Sequence, residues 1–165
     1  MNLQNFKSNF LNIENAVIMG NGPSLNQYNF DELSKKNTIF LACNRISNLF
    51  FEKKLNWRPD IYTCFTSTSL KNNEWKTSID RCLIDDKIVS FVHHKYKKFS
   101  NITKFHNNIF FCEGVFEHNR HKKIHKDFIN MPLESGFLKS YSATVTLFQI
   151  CDWLNIQNIF IVGQD

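Results

Sequence analysis

Apolar residues gather in six short runs of four to six residues, nearly continuous rather than alternating with polar positions. They are Ala16–Gly20 (AVIMG), Thr38–Cys43 (TIFLAC), Asp60–Phe65 (DIYTCF), Ile88–Val92 (IVSFV), Ile109–Cys112 (IFFC) and Ile159–Gly163 (IFIVG). A strand that is apolar on both faces is covered on both faces, so the runs predict a parallel sheet between helical layers. Between them lie segments with helical spacing. In Ser142–Leu154 (SATVTLFQICDWL), Val145, Phe148, Cys151 and Leu154 recur at helical intervals, and Ser140 or Ser142 can cap the start. Phe30–Lys36 predicts a short helix, with Asp31 and Glu32 near its start and lysines near its end, as the helix dipole prefers. Alternating strand and helix signals imply one α/β domain over residues 1–165, a Rossmann-like, doubly wound and mostly parallel sheet. Residues 93–140 are basic, aromatic and irregular, and predict loops or helices covering the site. Ligands of such sheets lie beyond the carboxyl ends of the strands. No loop follows the run that ends before Asp165, so the sequence reads as the N-terminal part of a longer chain, truncated at its C-terminal end.

The first run ends in GNGPSL, residues 20–25. Glycine lets a backbone turn tightly and approach a ligand, and a glycine turn after a first parallel strand is where α/β proteins bind phosphates. Gly20-Asn21-Gly22 begins like G-x-G-x-x-G, but Leu25 takes the third glycine's place and no acidic residue ends the second run. A Walker lysine is missing too, so neither the dinucleotide fingerprint nor the P-loop is present. From the glycines alone two readings stand: a phosphate-binding turn, or a tight turn with no ligand. Three features favour a ligand. Asn44 follows the second run and can hold a ribose hydroxyl or a base edge. Thr66 and Ser67, with Thr68 and Ser69, offer a row of hydroxyls after the third run. Ser142, Ala143 and Thr144 open the late helix, whose free N–H groups suit a phosphate or carboxylate. Together they describe a polar, largely uncharged nucleotide cleft.

Composition narrows the partners. A net charge of +5 suits anionic ligands or surfaces. No apolar run is long enough to cross a membrane, and the N-terminal residues lack the apolar core of a secretory signal. The five cysteines are scattered without a C-x-x-C pair, which reads as reduced, buried thiols of a cytoplasmic protein.

GNGPSL, Cys43-Asn44, and the late helix leading through a strand to Gly163-Gln164-Asp165 resemble glycosyltransferase family 42, bacterial sialyltransferases that decorate lipooligosaccharide. The same skeleton resembles a broader group of α/β proteins that includes flagellin-glycosylation-associated proteins and archaeal hydroxymethylpterin diphosphokinases. The first resemblance implies transfer of sialic acid from a CMP-activated donor to a cell-surface glycan acceptor, with inversion at the sugar. It implies no cofactor and no strictly required metal, because protein hydroxyls stabilise the leaving phosphate. It places Asn21 and Gly22 along the donor phosphate, with Gly20 and Ser24 in the same substrate-binding loop, and Asn44 at the cytidine or sugar. Thr66 or Ser67 stands where the family has an asparagine. Ser142-Ala143-Thr144 stands where it has Thr-Ser-Gly, and Gly163 and Asp165 form its Gly-x-Asp turn beside the nucleotide. The family's catalytic base, a histidine, and its phosphate-binding tyrosines lie beyond that turn, so no catalytic residue is assigned here. The broader group implies as the alternative a diphosphokinase, which needs ATP, magnesium and carboxylates near the cleft. A non-catalytic nucleotide-binding module is the third reading.

Other constellations read as surface. His118, His121 and His125 lie among cations with no fitting acidic or thiolate ligand, which describes a basic solvated face rather than a metal site. His93-His94 follows the fourth run at its carboxyl end, where one of the two can enter the cleft, but the pair reads first as a surface turn. The basic stretch 93–126 carries no nucleic-acid-binding signature, so nucleic acid is not an expected partner. It reads first as a solvated lysine-rich surface and second as a contact for an acidic acceptor or an anionic membrane, with the protein peripheral at the inner membrane. Oligomerisation is left open. Trp57 and Trp153 read as packing residues.

Overall fold

A computed structural model describes residues 3–33, 36–65, 72–112, 114–116, 137–139 and 143–165. Its centre is a six-stranded, all-parallel sheet, and the domain is α/β and Rossmann-like. The strands are β1 (Asn15–Met19), β2 (Thr38–Cys43), β3 (Ile61–Cys64), β4 (Val89–His93), β5 (Ile109–Cys112) and β8 (Asn158–Val162). Two further short strands, β6 (Gly114–Phe116) and β7 (Phe137–Lys139), pair parallel with each other. The main order is β5-β4-β3-β2-β1-β8. The chain therefore steps away from β1 in one direction and returns to its other side at β8.

That path decides which face each helix covers. The helices are α1 (Leu3–Ser8), α2 (Ser47–Glu52), α3 (Asn73–Ile84), α4 (Tyr96–Phe99) and α5 (Ala143–Trp153). Successive right-handed crossovers in one direction put their helices on one face, and a reversal puts the next helix on the other. Accordingly Phe50 of α2, Ile79, Cys82 and Leu83 of α3 and Tyr96 of α4 pack with Met19, Phe40, Tyr62 and Val92. Leu147, Ile150 and Cys151 of α5 and Phe6 of α1 pack with Ile18, Leu41, Ile61 and Phe91 on the opposite face. Successive residues of β1 and β2 enter opposite layers, which is why these runs carry no polar alternation.

Phe6 ties α1 and α5 to the sheet, with ring centroids 6.1 Å from Trp153 and 5.7 Å from Phe91. Trp57 is buried between Phe30 (5.1 Å) and Phe40 (5.4 Å). Both tryptophans thus serve packing, as the sequence predicts. All five cysteines are free thiols, four of them buried and Cys112 partly so.

Three elements differ from expectation. The helix predicted over Phe30–Lys36 is a single 3₁₀ turn, Phe30–Glu32, and residues 34–35 lie outside the description. Phe30 and Leu33, three apart, both face the sheet, and the threefold 3₁₀ repeat aligns such a pair. The stretch from residue 93 holds a helix, α4, and the strand β5 as expected, but also two strands that the sequence reading lacked, β6 and β7. Apolar β8 is not covered on both faces by described residues: Phe160 is 56% and Ile161 49% exposed.

Candidate functional site

The loops after β1, β2 and β8 meet at the carboxyl edge of the sheet. Pro23 opens a 3₁₀ turn over Pro23–Gln27, where its fixed φ is already suitable, and buried Leu25 anchors that turn. The loop before it is laced to the end of β8. Gly20 N–H donates to the Val162 carbonyl and Gly22 N–H to the Gly163 carbonyl, each at 2.9 Å. A Cβ on Gly20 would stand 1.9 Å from the Gly163 oxygen, and one on Gly22 would stand 2.4 Å from Asp165 Oδ1. The two glycines therefore let two loops of the same chain run against each other. Ser24 N–H donates to Asp165 Oδ2 at 3.0 Å, and the Ser24 hydroxyl donates to Oδ1. This hydroxyl bond holds the Asp165 carboxyl below its ordinary pKa, against a weaker opposing effect of desolvation. Leu25 N–H donates to Gly22. The N–H groups of Gly20, Gly22, Ser24 and Leu25 are thus all used within the chain.

The side-chain amide of Asn21 donates to the Cys43 carbonyl at 3.1 Å and ties the first loop to the end of β2. Asn44 then takes a left-handed turn at φ 56°, a conformation asparagine tolerates. Its N–H donates to Thr63, its carbonyl accepts from the Tyr62 hydroxyl at 2.7 Å, and its side-chain oxygen faces Cys64. The turn delivers Arg45 and α2 toward the first loop. Between them lies a cleft of about 350 Å³. Asn21, Gly22, Pro23, Leu25 and Asn26 line one side, and Arg45, Ile46, Asn48, Leu49 and Glu52 the other.

Of the residues singled out from sequence, Gly20, Asn21, Gly22, Ser24, Gly163 and Asp165 come together in one loop pair. Thr144 reaches it through its hydroxyl, which donates to Gln164 Oε1 at 3.3 Å. Ala143 packs against the core on the α5 face. Asn44 shapes the turn, and Arg45 beside it lines the cleft. Thr66, Ser67 and Ser142 lie outside the described residues, as do His118, His121 and His125.

Sequence reasoning missed Arg45, Asn26, Asn48 and Glu52. A signal existed: Arg45, Asn48 and Glu52 recur at helical spacing directly after a strand. His93 is also a correction. It is the last residue of β4, 6% exposed, not part of a surface turn, and its Nδ1 accepts the Lys95 N–H at 3.1 Å. Strand pairing continues through it, opposite Cys112 of β5, and that draws the ring inside.

Burial pushes the Cys43 thiol up to about 12, with the nearby Cys64 adding to the rise and the Asn21 hydrogen bond opposing it. Cys43 therefore carries no thiolate nucleophile at neutral pH. Among the described residues, no group of three or more His, Cys, Asp or Glu side chains converges as a metal site, and no helix is long and apolar enough to cross a membrane. No known protein family, curated protein or solved structure matches the chain.

Proposed function

We propose that this domain binds a nucleotide in the cleft between the β1 loop and α2, as the donor half of a nucleotide-sugar-dependent glycosyltransferase. The observation that carries the reading is the position and lining of that cleft. It opens at the carboxyl edge of a doubly wound parallel sheet, where such folds take nucleotides. Its side chains offer three neutral amides (Asn21, Asn26 and Asn48), apolar walls, one cation (Arg45) and one carboxylate (Glu52). Amides present both a donor and an acceptor, which is what a base edge and ribose hydroxyls require. The resemblance of GNGPSL and the late helix to sialyltransferases then names the donor as CMP-activated sialic acid and the acceptor as a cell-surface glycan. The leaving phosphate is stabilised by protein groups, with no resident metal or cofactor. The basic surface brings the protein to the anionic inner membrane as a peripheral component.

Calorimetric titration with CMP, UMP, ADP and GDP tests this. The reading expects CMP to bind with preference and Asn21→Ala to weaken it. Preference for ADP with a magnesium requirement would move the assignment to the diphosphokinase group. One observation opposes that alternative: the Asp165 carboxylate is engaged by Ser24 rather than turned to a metal. The non-catalytic reading is favoured by the lining, which contains one carboxylate, Glu52, and no histidine. CMP binding without release of CMP from CMP-sialic acid would select it.

A further inference from the structure

Arg45 has two neighbourhoods. It lines the cleft, and its Nη2 also makes an ion pair with Glu74 Oε1 in the first turn of α3. The Trp75 ring lies 5.8 Å from the guanidinium carbon and limits where the group can swing. The buried Nε has no hydrogen-bond partner among the described residues, so the guanidinium is only partly satisfied by Glu74. Glu74 does not depend on Arg45. Its side chain is 65% exposed, and it sits at the start of a helix, where a negative charge is stabilised. The pair is therefore solvent-screened and cheap to open. Meanwhile the N–H groups of Gly20, Gly22, Ser24 and Leu25 are committed within the chain, and Arg45 is the cation of the cleft lining.

We propose that Arg45 takes the phosphate of the bound nucleotide and that Glu74 is the internal counter-ion it exchanges for that phosphate. The Arg45–Glu74 pair is then a charge gate on the cleft. This inference rests on the nucleotide reading above and deepens it. A planar guanidinium matches two phosphate oxygens at once, whereas its hold on an exposed carboxylate is weak. Phosphate wins the exchange, and freed Glu74 returns to water at the start of α3.

The test titrates CMP, cytidine and inorganic pyrophosphate into the wild type, Glu74→Gln, Arg45→Gln and the double variant. Removing the competitor in Glu74→Gln should tighten CMP by about threefold to fivefold, the scale of an exposed ion pair, and leave cytidine unchanged. Arg45→Gln should weaken CMP about tenfold or more, toward the affinity of cytidine, as expected for a charge-assisted hydrogen bond to phosphate. In the double variant, Glu74→Gln should have no further effect. Wild-type CMP affinity in Glu74→Gln, or equal changes for CMP and cytidine, would overturn the gate. If neither CMP nor cytidine binds, the nucleotide reading fails and pyrophosphate decides the rest. Pyrophosphate binding strengthened in Glu74→Gln and lost in Arg45→Gln would uphold the gate. Pyrophosphate binding that is absent or indifferent to both substitutions would overturn it.

Discussion

Gly20→Ala adds one methyl group at the tightest point of the sheet edge. Its carbon would stand 1.9 Å from the Gly163 oxygen and 2.8 Å from the carbonyl carbon, both backbone atoms that cannot rotate aside. Gly163 has little room to retreat, because it holds a left-handed φ of 66° with the Leu25 side chain against its Cα. The end of β8 must therefore move by at least about 1 Å. That movement breaks the Gly20–Val162 and Gly22–Gly163 hydrogen bonds. Two such bonds contribute about 1 kcal/mol each, and overpacking adds about 1–3 kcal/mol. Alanine's smaller unfolded-state entropy offsets about 0.4–1 kcal/mol. The net expectation is a loss of about 2–4 kcal/mol. Urea unfolding followed by tryptophan fluorescence reads it directly, with a midpoint lower by about 1–2 M at an unchanged slope of about 2 kcal/mol/M. Asn21→Ala is the control in the same loop. It loses one amide bond to Cys43, worth about 1 kcal/mol. A Gly20→Ala midpoint equal to that of the wild type would refute the close-approach account of these glycines.

Three further outcomes follow from the same geometry. Arg58 bonds Asp85 at 2.8 Å and the Leu55 and Trp57 carbonyls, with its guanidinium over Phe50, so Arg58→Lys should cost about 2 kcal/mol of unfolding free energy; a change under about 0.5 kcal/mol would contradict this. Burial raises the thiols of Cys43, Cys112 and Cys151 from 9.0 to about 12, so the folded state keeps protons that the unfolded chain releases. Stability should be fully present below pH 9 and fall above it by up to about 1.4 kcal/mol per pH unit for each thiol, and a flat profile from pH 8 to 11 would sink the argument. Asp165 is held below its ordinary 3.8, chiefly by the Ser24 hydroxyl, so its hold on the first loop should be present above that value and lost as pH falls below it. Carboxyl NMR titration should show the Asp165 pKa rising in Ser24→Ala, and an unmoved value would contradict the bond.

Each of the six strands lies within one residue of its run in the sequence; the four central ones were legible because they are apolar on both faces, and the edge strands β5 and β8 because their runs are equally apolar. The late helix was legible from its periodic apolar positions, although Phe148 of that stripe is exposed and Leu147 and Ile150 join Cys151 and Leu154 in the core. Helix α3 was not read, although Asn72 caps it and Trp75, Ile79, Cys82 and Leu83 follow helical spacing, because polar residues outnumber that stripe. At the site, the paired glycines marked the right loop for a different structural reason. Their demonstrated neighbour is the segment at the end of β8, which is 143 residues further along the chain and invisible to local pattern. Asn44 shows the ambiguity of a short polar side chain after a strand, since the same residue type suits a ligand contact and a left-handed turn. Arg45 was passed over because its place on the cleft depends on that turn.

The most direct test of the account is to locate the ligand. A two-dimensional NMR titration of the labelled domain with CMP would follow the side-chain amides of Asn21, Asn26 and Asn48 and the backbone of residues 20–26 and 45–52. The account predicts saturable shifts concentrated in these two segments, with the three amide groups among the largest. Shifts centred elsewhere, for instance on the apolar groove between Tyr28 and Phe160, or no shifts at millimolar CMP, would contradict it.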